Sequence, residues 1–261
     1  MNKSREDGIN AAVKWEELED PSFASHADEC HGDAFLDPAC ATAYRAIAAR
    51  LNYLSMDRPD LKYASKVCAQ EMHNPKESSW AKLKRVGRYL RRRPRARCVY
   101  KWGVSKLNVW VASDSDWAGD KKHRRSTSGG CIWVGGCMVK AWSKTQACIT
   151  FSSAEAELVA ATRASSEALG CANLLRDFGI EPQVYLGMDS SAAIAMLERE
   201  GLGRSRHIDT QYMWVQGKIR SKQIVLNKIP TAYNPSDIFT KPLPEDTLMK
   251  HMLAMGYVFS P

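Results

Sequence analysis

No C-x-x-C pair occurs in these 261 residues. The eight cysteines stand singly at Cys30, Cys40, Cys68, Cys98, Cys131, Cys137, Cys148 and Cys171, and no Cys/His spacing is that of a zinc finger. A metal site using Cys131, Cys137 and His123 is the functional alternative. Free, partly buried thiols in a reducing compartment explain the scatter better. Long apolar runs are missing too: no segment approaches the roughly 18 uninterrupted apolar residues that a membrane helix needs. The first ten residues, "MNKSREDGIN", carry no apolar signal-peptide core. Internal repeats are absent. Together these gaps exclude a disulfide scaffold, a zinc finger, a solenoid and a membrane span. They predict a soluble chain of the cytoplasm or nucleus, neither secreted nor membrane-bound.

Acidic residues are missing from one stretch. Between Lys82 and Lys106 there are eleven Lys/Arg and no Asp or Glu. The net charge of +8 therefore hides an asymmetry, because residues 1–40 sum to −7 and the remainder to +15. A body this basic predicts a polyanionic partner, with nucleic acid the leading candidate. A solvated helix face would also carry such charge. The aromatics Trp80, Tyr89, Tyr100 and Trp102 interspersed with it favour a phosphate-tracking surface.

What is present divides the chain. Residues 1–40 are acidic and weakly periodic, and read as linker-like or disordered with a short helical turn near Trp15. Residues 41–103 read as helices, with Tyr44, Ile47, Ala48, Leu51 and Leu54 at helical spacing and breaks at "DRPD" and "HNP". Residues 107–244 change character. Leu107–Ala112, "CIWV" (131–134) and "CMVKAWS" (137–143) are strand-like, the last two joined by Gly135-Gly136, and make a three-stranded antiparallel meander. The pair Gly129-Gly130 precedes "CIWV". A long helix runs to Gly179, with Ser152 and Glu155 in capping-box spacing. A strand (183–188), two helices (within 190–201 and 206–220), a strand (223–230) and a last helix begun by "NPSDIFTKPL" (234–243) follow. Residues 245–261 read as a C-terminal tail. The order β-β-β-α-β-α-α-β-α predicts an α/β fold, a mixed sheet with helices on its faces.

Carboxylates stand where such sheets gather ligands, at strand ends and helix starts. Asp114 ends the first strand and Asp189 the fourth. Asp237 opens the final helix, and Glu155 and Glu157 lie in the first turns of the long helix. Singly, each has an ordinary explanation. Asp189 and Asp237 suit helix N-caps and Glu155 the capping box. Four carboxylates converging from separate elements would repel one another unless cations were present, and hard, oxygen-seeking Mg²⁺ or Mn²⁺ is the natural occupant.

The stretches "VWVASDSDWAGD", "RRSTSGG", "AWSKTQACITFSSAEAELVAAT", "DSSAAI", "RHIDTQYMWVQGKI" and "IPTAYNPSDIFTKPL" resemble, in order and spacing, the ribonuclease H domain of copia-type retrotransposon Pol polyproteins. Residues 43–90 resemble the thumb- or connection-like segment that follows the polymerase core in the same polyproteins. The resemblance implies a ribonuclease H-like mixed five-stranded sheet flanked by helices, preceded by a small helical segment. It implies a D-E-D-D site of Asp114, Glu157 (heading "ELVAA"), Asp189 and Asp237, holding two Mg²⁺ ions, with Mn²⁺ a substitute. The substrate implied is an RNA·DNA hybrid whose RNA strand is hydrolysed, met by Arg124, Arg125, Ser126 and Thr127 of the basic loop. Asp116 and Asp120 belong to the copia-type "DWAGD" extension. Related enzymes carry a histidine shortly before the last aspartate. Here that loop reads "TAYNPSD", and His207, the nearest in sequence, is expected to be structural or a substrate contact. No Y-x-D-D polymerase signature occurs, so the chain is expected not to copy nucleic acid, and the rest of a Pol polyprotein is an expected partner. A catalytically silent nucleic-acid-binding remnant of the same polyprotein is the second reading. A transposase-type nuclease ranks last, since its D-D-E order puts glutamate on a late helix.

Overall fold

A computed structural model describes residues 33–100, 102–103, 106–201 and 212–260. Trp15 and His207 lie outside the described residues. The chain divides into two compact units. Of the described residues, one unit holds those up to Arg50 together with Cys68–Arg92, the other Leu51–Val67 and those from Arg93 onward.

In the first unit, helix α1 (Pro38–Leu54) begins where Asp37 Oδ1 accepts from the backbone N–H groups of Ala39 and Cys40. Proline in the first turn costs nothing there, because its missing N–H has no partner to lose. Order thus begins ahead of residue 41: Phe35 bridges to Lys76. Tyr44 is fully buried, and its hydroxyl donates to the Cys68 carbonyl at 2.8 Å. Helix α3 (Glu77–Arg92) carries the basic run, with Leu83 turned inward and Lys84, Arg88 and Arg91 outward or partly so. Between the two in sequence lies α2 (Lys62–Gln70).

The second unit is built on a five-stranded sheet. Its strands are β2 (Val109–Asp120), β3 (Arg125–Val134), β4 (Cys137–Thr145), β5 (Val184–Met188) and β6 (Ile224–Lys228), in the order β4-β3-β2-β5-β6. The first three form the expected antiparallel meander. β5 pairs parallel with both β2 and β6, which requires helical crossovers. Helix α4 (Ser153–Asp177) supplies the first. Ala156, Ala160, Ala164, Ala168 and Ala172 recur every fourth residue and are all fully buried, so one smooth face lies close against the sheet. α5 (Ser191–Glu198) and α6 (Trp214–Arg220) complete that layer over Val109, Val111, Leu186 and Ile224. This is the mixed five-stranded sheet with flanking helices that was expected.

The opposite face is covered by residues expected to trail off as a tail. After a 3-10 turn at Pro235–Phe239 come helix α7 (Glu245–Ala254) and strand β7 (Tyr257–Ser260). β7 pairs antiparallel with β1 (Arg95–Cys98), Cys98 opposite Tyr257. Ile238, Phe239, Met252, Met255 and Tyr257 cover Ala112, Cys131 and Met138. The reading of 245–261 as a tail is therefore corrected, and so is the all-helical reading of 41–103, because β1 belongs to the second sheet.

Two further differences have local causes. Gly129 and Gly130 lie inside β3 rather than ahead of the strand. A Cβ on Gly129 would come within 2.7 Å of Phe239 Cβ, and one on Gly130 within 2.2 Å of Trp142 Cζ2. The glycines let neighbouring groups approach the sheet directly. "NPSDIF" forms a 3-10 turn rather than opening a helix: Asn234 Oδ1 caps it through Ser236 N–H, and the chain turns at Thr240.

Candidate active site

Asp114, Glu157 and Asp189 each offer a carboxylate oxygen, and these three atoms lie within 4.8 Å of one another. They come from β2, from the second turn of α4 and from the residue after β5. Local chemistry sets each. Asp114 stands opposite Gly129 in the β2–β3 ladder, where no side chain of β3 competes for the space. Ser152 caps α4 by accepting from Glu155 N–H. Glu155 Oε2 accepts from Phe151 N–H at 2.8 Å, so Glu155 belongs to the cap and Glu157 is free to face the sheet. Glu157 Oε1 accepts from Ser115 N–H at 3.0 Å, tying the helix to the middle of β2. Ser190 rather than Asp189 caps α5, which leaves the Asp189 carboxylate available.

Asp237 joins from the 3-10 turn, where it is 8% exposed. That turn is bolted to β2 in two places. Asn234, fully buried, donates from Nδ2 to the Ser113 carbonyl at 3.0 Å. Thr240 donates its hydroxyl to Asp114 Oδ2. Lys241 Nζ stands 3.1 Å from Asp237 Oδ1 as an ion pair. A third support comes from Gln146, whose Nε2 donates to Ser128 Oγ and to the Ala156 carbonyl, each at 2.9 Å.

The electrostatics follow from burial. Loss of water pushes the Glu157 carboxyl up to about 9, with Asp114 and Asp189 adding to the rise. Burial also raises Asp114, against the hydrogen bond from Thr240, and the neighbouring Asp237 raises it further. Asp116, half-buried, is raised by burial and pulled back by Lys241 and Lys66. Glu157 Oε2 is buried with no hydrogen-bond partner among the described residues. Buried carboxylate oxygens are rarely left so. An all-oxygen donor set with an orphaned oxygen fits a hard divalent cation such as Mg²⁺.

The other acids of the "DWAGD" stretch have separate work. Asp120 closes the β2–β3 turn, accepting from the N–H groups of Lys122 and His123 and pairing with His123 Nδ1. Of the four basic-loop residues, Arg124 and Arg125 are exposed. Ser126 and Thr127 are buried and already engaged: Ser126 Oγ accepts from Ala118 N–H, and Thr127 Oγ1 accepts from Lys66 Nζ at 2.8 Å. Their hydroxyls are therefore not presented to a ligand. The seven cysteines among the described residues are free thiols, and burial raises Cys131 strongly.

The chain is 32% identical over 223 residues to the retrovirus-related Pol polyprotein from transposon RE2 of Arabidopsis thaliana, covering 84% of this chain and 15% of that one. It is 33% identical over 215 residues to the corresponding polyprotein from transposon RE1 of the same plant, covering 81% and 14%. The homologues of this chain are thus retrovirus-related Pol polyproteins from transposons. It spans about 15% of the length of these curated relatives. No family model matches it. Among solved structures, the foamy viral protease-reverse transcriptase in complex with RNA/DNA hybrid aligns with 85% of this chain and 28% of its own, at a TM-score of 0.50 and 11% identity, a likeness of fold.

Sequence reasoning passed over Asn234, Thr240, Lys241 and Gln146. A signal existed for the first three, since all lie in "NPSDIFTKPL" and Lys241 falls four residues after Asp237. Gln146 has no local signal, because its partners Ser115, Ser128 and Ala156 come from three elements.

Proposed function

We propose that this Pol polyprotein segment is a divalent-metal-dependent ribonuclease H that hydrolyses the RNA strand of RNA·DNA hybrids. The observation that carries the reading is the meeting of Asp114, Glu157 and Asp189 oxygens within 4.8 Å, beside Asp237, in a chain whose homologues are Pol polyproteins. The foamy viral neighbour was solved in complex with an RNA/DNA hybrid, which supports the same substrate class here.

In this reading Asp114, Glu157, Asp189 and Asp237 hold two Mg²⁺ or Mn²⁺ ions. Bound ions of this kind supply an activated water and stabilise the departing 3′-oxygen. The remaining work falls to the chain. Thr240 and Ser115 fix the Asp114 and Glu157 carboxylates through the hydrogen bonds already described. Asn234 holds the Asp237 turn against β2. Fixed geometry of this sort is where such catalysis gains most, as no covalent intermediate is needed. Arg124 and Arg125, exposed at the β2–β3 turn, would meet backbone phosphates. 2′-Hydroxyls would distinguish the RNA strand.

The test compares labelled hybrid with the purified chain and with Asp114→Asn, Glu157→Gln, Asp189→Asn and Asp237→Asn. Cleavage in Mg²⁺ that falls at least about a hundredfold in each variant, with hybrid binding retained, is the expected result. A folded wild-type chain that binds hybrid and leaves it intact would establish the silent, nucleic-acid-binding remnant instead.

A further inference from the structure

A cavity of about 470 Å³ lies between the end of β4, the middle of α4 and the start of α6. None of the four site carboxylates lines it. Its volume suits one small ligand, and its walls define the kind. Gln146, 4% exposed, is one of them. Its Nε2 donates to Ser128 Oγ and to the Ala156 carbonyl, each at 2.9 Å. That fixes the amide and leaves Oε1 buried with no hydrogen-bond partner among the described residues. A buried acceptor left open calls for an N–H donor. Lys144 and Arg163 bring two cations against one acid, Glu167. Both Glu167 oxygens are already taken, one by Arg163 Nη2 at 3.2 Å and the other by Lys140 Nζ at 2.6 Å. Arg163 Nε is buried with no partner among the described residues, and Lys144 is exposed. The lining therefore carries net positive charge, which selects an anion. Tyr212 and Trp214 add flat apolar faces. Tyr212 is held in place, its carbonyl accepting from Thr162 Oγ1 at 3.2 Å and its hydroxyl donating to Cys148 Sγ at 3.4 Å. Aromatic walls of this kind take a planar ring by stacking.

We propose that this cavity is a subsite for a single nucleotide with an amino-bearing base. Its phosphate meets Lys144 and Arg163, its exocyclic amine donates to Gln146 Oε1, and its base stacks on the aromatic wall. The same unit arrives either as a free nucleotide or as an unpaired nucleotide of a nucleic-acid strand. A base inside a duplex is stacked on both faces and has to be extruded before it can enter a pocket, so a fully paired hybrid has no unit to offer here. The subsite is thus separate from any groove that a paired hybrid fills. The inference goes beyond the nuclease reading and stands on the cavity alone, since it requires neither metal nor cleavage.

The test titrates the full chain with AMP by calorimetry in EDTA, where divalent ions play no part. One AMP per chain is expected, with a Kd of about 100 µM or tighter. Ribose 5-phosphate and inorganic phosphate, which lack the base, should bind at least about tenfold more weakly. Lys144→Gln should weaken AMP about tenfold. Ser166→Phe, at a lining position of α4, should abolish binding by filling the cavity. Both positions are exposed, so both variants should melt as wild type does. A second arm compares a blunt hybrid with one that carries a single-stranded adenine extension. AMP binding lost in these variants assigns the free nucleotide. No AMP binding, but a preference of about tenfold for the extended hybrid that both variants lose, assigns the strand. Absence of both effects, AMP binding that the two variants leave unchanged, or equal binding of AMP and phosphate would overturn the proposal. Turnover enters none of these readings, so a chain that never cleaves hybrid would overturn only the nuclease.

Discussion

Glu157 loses most from standing in the site without a cation. Its carboxyl is pushed up to about 9, first by burial and then by Asp114 and Asp189, so the folded chain favours the protonated form. Its stabilising contribution is complete below the ordinary glutamate range and fades as pH rises towards 9. His251 acts in the opposite sense, being lowered by burial, but only below its ordinary value near 6.5. Between pH 7 and 8.5, therefore, the urea midpoint of the EDTA-treated protein should fall as pH rises. Glu157→Gln should flatten that dependence, and so should saturating Mg²⁺. An unchanged slope in Glu157→Gln would mean that the carboxylate is not in the buried state described. The positions of Asp189 after a strand and of Glu157 in the early turns of a helix were legible in the sequence, because strand and helix periodicity are local; Asp114 was expected to end its strand, but β2 runs on to Asp120 and holds Asp114 inside it. Lys66, which reaches Thr127 from 61 residues away, was not, because nothing in a neighbouring stretch marks it.

Elements were legible where the pattern was local and were misread where packing decided. The meander, α4 and β5 carry their own periodicity and caps. Gly129-Gly130 was placed ahead of the strand "CIWV", but the pair lies inside β3 and makes room for Phe239 and Trp142. The last seventeen residues looked like a tail because α7 and β7 are short and their apolar positions few. Those few are decisive: Met252 and Met255 are buried to within 1% and Tyr257 to 5% exposure. Ending the chain after Pro244 should lower the urea-derived stability by about 5 kcal/mol or prevent folding, because three large buried side chains and the β1–β7 pairing go together. A truncated chain as stable as the full one would show that this layer contributes nothing to the core.

At the scale of the whole molecule, part of the segment ahead of the sheet belongs with the sheet. Arg58, buried, donates to Asp60 and to the carbonyls of Arg93 and Pro94, and stacks 5.8 Å over Phe259. Lys66 is bonded to β3. Residues 51–67 accordingly join the second unit, a union that the boundary expected at 107 missed because these partners are remote in sequence. If the chain binds hybrid as proposed, its net charge of +8 makes that binding salt-dependent, and replacing Arg124 and Arg125 together by alanine should reduce the slope of log affinity against log salt by about 2. An unchanged slope would remove the β2–β3 turn from the interface. The most direct test of the central claim is the identity of the ends left on a cleaved hybrid labelled on both strands. Water attacking phosphorus with departure of the 3′-oxygen predicts cuts in the RNA strand alone, each leaving a 3′-hydroxyl and a 5′-phosphate and none appearing with Asp114→Asn. RNA ends carrying a 2′,3′-cyclic phosphate, cuts in the DNA strand, or the same products from Asp114→Asn would contradict the account.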